Sequence, residues 1–479
     1  MEFIPKPSLM PYVFAYFAVI VLLGFFYGKH VKGAKDFVLA GGALGPIVVG
    51  GTLGATWVGG GAISGGSGAL GGNYGIWAGW IYVIVLSCSI LLIYMFADKL
   101  KQRGKFTIPG VLEQAYGKFA RYYCGIIVVI ACMGIAGTQF TAFGFMLNTV
   151  TGFDKTTAVA IGTVVVVIIA MLGGLRSVAP TDLISAVFMV LAMVIVIPMV
   201  AGLSGGWGAV MEKGAASGAL NFPWGRWNAY GVIAVTASSM FLLLGDQGML
   251  QRVIAAKDNS TMRKGIFIGM LFMILLSGSC ATLGFVGRTL WGWDMNASLL
   301  LLANATVLPT LIGGMFLAAC TAFIVTSGNS YLLSAGTSLV YDIIVPLSGK
   351  KFTDDQQVWM SRWLIPVIGL IGFITSLWFP SVLAAQLYAY TLYGATLTPA
   401  LFAAFLWRRV TRIGGIASML TGSIATLANE IAKKPFGLES SIIAIPLSIG
   451  VLIVVSLLTQ GTKSGVVGSV ETDGTIDQL

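Results

Sequence analysis

Gly50-Gly-Thr-Leu-Gly-Ala-Thr-Trp-Val-Gly-Gly-Gly-Ala-Ile-Ser-Gly-Gly-Ser-Gly68 lies inside an apolar run long enough to cross a bilayer, and nine of its nineteen residues are glycine. A span built this way does not hold a regular helix. Glycine costs roughly 1 kcal/mol relative to alanine inside a helix, and these glycines do not keep to one helix face as a packing stripe would. Two readings follow. Small residues let neighbouring helices approach closely, and a broken helix exposes backbone carbonyls and amides at membrane depth, where a polar cargo can use them.

The surrounding chain supports a membrane setting. Hydrophobic residues make up 57% of the 479 and charged residues 10%. Soluble domains carry roughly 25% charged residues, so most of this surface is expected to face lipid. Apolar runs of bilayer-crossing length recur throughout. Hydropathy places thirteen helical spans near residues 9–28, 45–70, 76–97, 122–146, 157–174, 183–203, 229–247, 264–287, 309–342, 359–378, 381–406, 413–432 and 440–459. Helices are the expected form because an isolated strand leaves its backbone unsatisfied in lipid. The fold class is therefore an all-α polytopic membrane protein.

Lys and Arg test the count. With the N-terminus outside, 21 of the 28 fall on the inner side and seven on the outer. That bias predicts an outside N-terminus and a cytoplasmic C-terminus in the inner membrane of a prokaryote. It also explains the net charge of +10 without nucleic acid. No basic region followed by a cleavable apolar stretch opens the chain, so Leu9 to Gly28 is expected to be a retained span. Residues 461–479 are Gly-, Ser- and Thr-rich and read as a disordered cytoplasmic tail, leaving 1–460 as the transmembrane domain. The loop at 204–228 carries Trp207, Trp224 and Trp227 and reads as an outer-interface segment.

The inventory excludes several chemistries. His30 is the sole histidine, so a histidine metal site or a Ser/His/Asp triad is ruled out. The five cysteines (Cys88, Cys124, Cys132, Cys280, Cys320) sit in apolar segments without ligand spacing and read as small buried residues. An enzyme is not expected.

A second break mirrors the first. Gly245-Asp246-Gln247-Gly248 interrupts the apolar run of span seven. Broken spans five apart predict two inverted repeats of five helices, about 45–203 and 229–406, with the site at the breaks.

Four elements taken together resemble the sodium:solute symporter family over nearly the whole chain: Phe37-Val-Leu-Ala-Gly-Gly-Ala-Leu-Gly-Pro46, Phe106-Thr-Ile-Pro-Gly110, Gly173-Gly-Leu-Arg-Ser-Val-Ala-Pro-Thr-Asp182, and Gln251-Arg252 with Ala255-Ala-Lys257. The resemblance implies a LeuT-like 5+5 core, alternating access and co-transported sodium. Ala55-Thr-Trp-Val-Gly-Gly-Gly61 looks most like the choline-transporter branch. That branch has Trp where this chain has Asp246, and another aromatic near Ile135. An aromatic cage for a quaternary amine is therefore expected to be largely missing.

By position in the family motif, Ala55 and Val58 would offer sodium carbonyls from span two. Phe323 would offer one from span nine, with hydroxyls from Thr326 and Ser327. Sodium is a hard cation that takes oxygen ligands, as calcium does. Some members carry a second sodium on residues equivalent to Asp182, Thr326, Asn329 and Ser330; the rival reading pairs Asp182 with Arg176. The solute is expected between the breaks, against Trp57, Gly60, Thr138, Gln139, Asp246 and Gln247. Asp246 stands at membrane depth, and with the nearest basic residue, Arg252, read at the cytoplasmic edge, a cationic solute becomes its natural partner. That favours an amine or an amino acid. The alternatives are a proton-coupled or uncoupled carrier of a carboxylate or sugar, and a solute sensor on the same fold, although no output domain follows residue 461.

Overall fold

The structure, a computed structural model, describes residues 4–29, 31–171, 174–226, 228–378 and 382–460. His30, Trp227 and the tail at 461–479 lie outside the described residues, as do Leu172 and Gly173. Among the described residues the fold is helical, and the one β feature is an isolated bridge between Leu44 and Ala256.

Among the described residues, nine helices are long and apolar enough to cross a membrane: Pro7–Gly28, Ile76–Met95, Lys118–Thr151, Gly174–Leu203, Asn259–Trp291, Thr310–Ser348, Asp354–Ser376, Val382–Leu406 and Ser440–Leu458. Two bent pairs bring the number to eleven. Pro46–Trp57 meets Gly60–Tyr74 at 44°, and Ala229–Gly245 meets Gln247–Ile254 at 41°. The helices Lys155–Met171 and Arg412–Ile431 stand where spans five and twelve were expected. The first is short, at 17 residues, and the second is not apolar enough to pass. Eleven spans are thus supported by length and composition, against the thirteen expected. The expected numbering is kept below, the bent pairs being spans two and seven.

Local sequence sets several helix starts. Thr107 accepts a hydrogen bond from the Gly110 amide ahead of Ile108–Tyr116, and Asn228 accepts one from Gly231 ahead of span seven. Asp258 accepts one from Thr261 ahead of span eight. Each satisfies an amide that the first helical turn leaves unpaired.

Spans nine and eleven bury 83% of their most apolar window and span four 72%, whereas span one buries 22% and span thirteen 33%. The former therefore form the centre. The latter expose large side chains such as Phe14, Leu22, Val454 and Leu458, as lipid-facing helices do. Cys88 is exposed and the other four cysteines are buried, so the reading of all five as buried holds for four.

Close packing uses the glycines as well. A side chain on Gly71 would stand 2.1 Å from the Ala281 carbonyl oxygen, and one on Gly284 2.1 Å from that of Gly68. Spans two and eight therefore touch backbone to backbone. Both readings of the glycine-rich stretch hold at once, in different parts of it.

The packing partners pair off. Span two packs on spans six and eight, and span seven on spans eleven and three. Span four meets five, ten and eleven, while span nine meets ten, five and six. Four packs on nine, and three on eight. Adding five to each number in the first half, or subtracting five in the second, reproduces these pairs, whereas the packing of span six on span eight is not matched by spans eleven and three.

Candidate functional site

Helix geometry sets the oxygens at the first break. Span two leaves helical geometry after Trp57: Val58 has φ −88° and ψ 83°, and Gly59 is extended. In a continuing helix the Gly59 amide would bond the Ala55 carbonyl. It turns instead to Trp57, which frees the carbonyls behind it. Span nine answers with hydroxyls. Thr326 Oγ1 donates to the Ala55 oxygen at 2.9 Å and lies 3.3 Å from the Phe323 oxygen. Ser327 Oγ donates to the Thr56 oxygen at 2.7 Å. The amide of Gly60 is taken by Gln139 Oε1 at 2.7 Å.

Ala55, Phe323 and Thr326 are thus brought together as expected, with Val58 buried at the break and Ser327 alongside. These are uncharged hard oxygens in a buried place, the donor set that suits an alkali cation. Gly59 is needed here for space. A Cβ on it would lie 2.3 Å from Ser327 Oγ.

Asp182 corrects the sequence reading. Arg176 pairs with Asp36 at 2.7 Å, not with Asp182. The partner of Asp182 is Arg252, whose Nη2 lies 3.3 Å from Asp182 Oδ2. Arg252 is 1% exposed rather than at the cytoplasmic edge. The reason is geometric: its side chain folds back along the helix Gln247–Ile254, with Nη1 donating to the Gly248 carbonyl at 2.8 Å. Nε donates to Thr52 Oγ1 at 2.8 Å and Nη2 to Ser330 Oγ at 2.6 Å. Thr52 donates to Asp182 Oδ2 at 2.6 Å, and Thr56 reaches the same oxygen at 3.4 Å. Ser330 joins this cluster, whereas Asn329 Oδ1 is buried without a hydrogen-bond partner among the described residues.

At the second break the chain caps itself. Asp246 Oδ1 accepts from the Met249 amide at 2.7 Å, opening the helix Gln247–Ile254. Asp246 is fully buried, and its Oδ2 has no hydrogen-bond partner among the described residues. Its electrostatic neighbours include Arg252, already engaged by Asp182, and three tyrosines: Tyr331 of span nine, Tyr390 and Tyr393 of span eleven. Trp57 lies against Tyr390 with ring centroids 6.0 Å apart. Tyr393 Oη bonds the backbone on both sides of Asp246, accepting from the Gln247 amide at 3.0 Å and donating to the Gly245 carbonyl at 3.2 Å. This tyrosine comes from a span the sequence reading did not connect to the break.

The remaining expected solute contacts divide. Gln247 is fully engaged in structure: its amide donates to Tyr393 Oη at 3.0 Å, Nε2 to the Ser334 carbonyl at 3.1 Å, and Oε1 accepts from Ile108 at 3.3 Å. Gln139 caps Gly60, and its Nε2 donates to Thr138 Oγ1 at 3.1 Å. Thr138 donates to the Ile135 carbonyl and also lines a small crevice with Gly134, Thr141, Lys155 and Ala385. Gly60, Trp57 and Asp246 stay at the breaks.

A third buried carboxylate escaped the sequence reading. Asp342, near the end of span nine, accepts from Thr107 and Ser338 at 2.6 Å each and lies 3.5 Å from Arg121 Nε. It ties the start of span four to the end of span nine. Its apolar surroundings were visible in the sequence, but Thr107 and Arg121 belong to a distant part of the chain.

Comparison with known proteins follows this geometry. The sequence model of the sodium:solute symporter family matches residues 37–422. The high-affinity proline transporter PutP of Bacillus subtilis (strain 168) is 25% identical over 476 residues, covering 93% of this chain and 97% of that protein. A sodium/proline symporter of Staphylococcus aureus is 25% identical over 485 residues, covering 96% and 93%. Among solved structures, a Na+-coupled sialic acid symporter in a substrate-bound outward-open state superposes with a TM-score of 0.80 at 18% identity, over 94% of this chain and 97% of that one. MhsT in complex with L-phenylalanine superposes with a TM-score of 0.55 at 15% identity, over 86% and 97%. The structural matches carry the fold, and the sequence model, spanning both helix breaks and the hydroxyls of span nine, carries the lineage: this chain belongs to the sodium:solute symporter family.

Proposed function

We propose that this symporter imports an amino acid or a related amine with sodium, across an inner membrane that it enters with its N-terminus outside. The carrying observation is Asp246: a fully buried carboxylate with one oxygen lacking a hydrogen-bond partner among the described residues, beside Tyr393, whose Oη bonds the backbone on both sides of it. An unpaired charge at membrane depth costs about 2.5–3.5 kcal/mol on insertion scales, and an ammonium group offsets that cost. Aromatic faces add cation–π attraction of about 0.5–2 kcal/mol. The proline-transporting relatives from two bacteria support the same solute class.

Sodium is assigned to the oxygens of Ala55, Val58, Phe323, Thr326 and Ser327. Bound there, it links span two to span nine, one wall of the solute space to another. Ion and solute then stabilise the same closed arrangement, and each binds better when the other is present. The paired contacts of spans two to six with seven to eleven support reading residues 45–203 and 229–406 as inverted repeats, with rocking of one bundle against the other as the transport motion. Counting Lys155–Met171 and Arg412–Ile431 as spans gives thirteen, an odd number that supports termini on opposite sides and so a cytoplasmic C-terminus.

Purified protein in liposomes tests this. L-proline, L-alanine, choline, succinate and glucose are offered under inward sodium, potassium or proton gradients. The proposal expects uptake of an amine-bearing solute driven by sodium, reduced at least a hundredfold by Asp246→Asn. Uptake confined to succinate or glucose, or full amine uptake by Asp246→Asn, contradicts it.

A further inference from the structure

The family resemblance implies a second sodium ion on Asp182, Thr326, Asn329 and Ser330. The residues around Asp182 do not fit that ion, and the misfit is informative. Arg252 donates to Asp182 Oδ2 at 3.3 Å, Ser330 Oγ at 2.6 Å and Thr52 Oγ1 at 2.8 Å. Asp182 and Ser330 are two of the four expected ligands, and the guanidinium occupies both. Asp182 and Arg252 are each 1% exposed, so neither charge is met by bulk water. A guanidinium cannot lose its proton in a protein, so the cluster holds one positive charge at any working pH. A sodium ion added here would share a single carboxylate with that charge. Like charges a few ångströms apart in a medium of low dielectric repel strongly. Asn329 Oδ1, the remaining expected ligand, receives no bond from Arg252 and has no hydrogen-bond partner among the described residues.

We infer that Arg252 is a tethered counter-cation standing in for a second sodium, so that this symporter binds and carries one sodium ion per solute. The inference rests on the proposed sodium site at Thr326. It gives span seven a further role. Its outer half leads to Asp246, while its inner half delivers the charge that binds Asp182 of span six, Thr52 of span two and Ser330 of span nine. In a two-sodium carrier the second ion would have to leave with each cycle. Here the charge stays with the protein, and only the ion at Thr326 is released.

Binding of radioactive sodium to the purified protein counts the ions, and the charge moved per zwitterionic amino acid in liposomes counts them again during transport. The wild type should bind one ion and move one charge per solute. Arg252→Gln, which removes the charge and leaves the oxygens, should bind two, with a Hill coefficient for sodium rising from 1 towards 2. Arg252→Lys should hold the count at one, and Arg252→Gln combined with Asp182→Asn should return it to one. Two ions or two charges in the wild type overturn the inference, and this holds even if the glutamine variant fails to fold. A count of one in a folded Arg252→Gln variant also overturns it, because the oxygens would not then accept sodium in place of the guanidinium. No bound sodium in the wild type overturns the Thr326 site itself, a separate result.

Discussion

At the break in span two, the loose backbone groups are met by side chains from elsewhere: Thr326 and Ser327 take carbonyls, and Gln139 takes the Gly60 amide. At the break in span seven, the chain supplies its own cap, Asp246, and one carboxylate oxygen is left over. The first break is neutral, glycine-lined and tight. The second carries a charge, with Tyr393 bonded to the backbone on either side of it. Neutral oxygens in a tight place suit a small hard cation, whereas a buried charge beside an aromatic ring suits an organic one. We propose that the two breaks serve two cargoes, each selected by the residues that cap it.

The sharpest way to break this contrast is to add one carbon to each side. A Cβ on Gly59 meets Ser327 Oγ at 2.3 Å and its Cβ at 2.5 Å. Gly59→Ala should therefore drive span nine from the break and reduce sodium-driven uptake at least a hundredfold in membrane-inserted protein. Wild-type uptake would refute the tight-break account. Next comes the ion itself. Thr326→Ala with Ser327→Ala should raise the sodium concentration for half-maximal uptake tenfold or more, since each lost ligand is worth about 1 kcal/mol. Unchanged sodium dependence in the folded double variant removes these hydroxyls from the site.

The second break should tolerate more. At Gly248 an added Cβ lies 3.1 Å from both Asp246 Oδ1 and Ser334 Oγ, so small side-chain shifts accommodate it. Gly248→Ala should lower solute affinity a few-fold and leave sodium affinity unchanged. Equal damage from Gly248→Ala and Gly59→Ala would erase the difference between the breaks.

The smallest effect belongs to Asp258, which caps span eight by the same bond that Asp246 makes, 2.7 Å to the amide three residues on. It stands in water outside the membrane. The Thr261 amide holds its carboxyl below the usual range. A depressed folded-state value means the cap contributes fully at neutral pH and loses its contribution only as pH falls through that lowered value. Asp258→Asn should leave uptake at wild-type levels at pH 7 and weaken the acid sensitivity of melting. A transport defect as large as that of Asp246→Asn would show that capping, not burial beside a solute, explains both.

The spans and both breaks could be read from the sequence because they are local. Hydropathy marks lipid-crossing length, and Gly59 or Asp246 inside an apolar run marks a place where the backbone cannot stay helical. The oxygens proposed for sodium, on Ala55, Phe323 and Thr326, came by position in the family motif, and the structure brings these three residues together. What stayed hidden depends on three-dimensional approach. Tyr393 reads as an ordinary aromatic of span eleven, since nothing in its neighbourhood tells which face meets the break. Arg252 follows a break and precedes Lys257, so it reads as a cytoplasmic charge. Only the backward fold of its side chain to Gly248 buries it among spans two, six and nine. Asp36 drew no notice, although it is the partner that holds Arg176.

Division of labour between the two breaks is the central claim, and melting of purified Asp246→Asn protein tests it most directly. A ligand at a hundred times its dissociation constant stabilises the folded state by about 2.7 kcal/mol, so each cargo should raise the melting temperature measurably. In the wild type, sodium should raise it and an amino-acid solute should raise it further. In Asp246→Asn, the sodium shift should persist in full and the solute shift should vanish. Loss of the sodium shift, or a solute shift equal to that of the wild type, would contradict the assignment of the ion to the first break and the solute to the second.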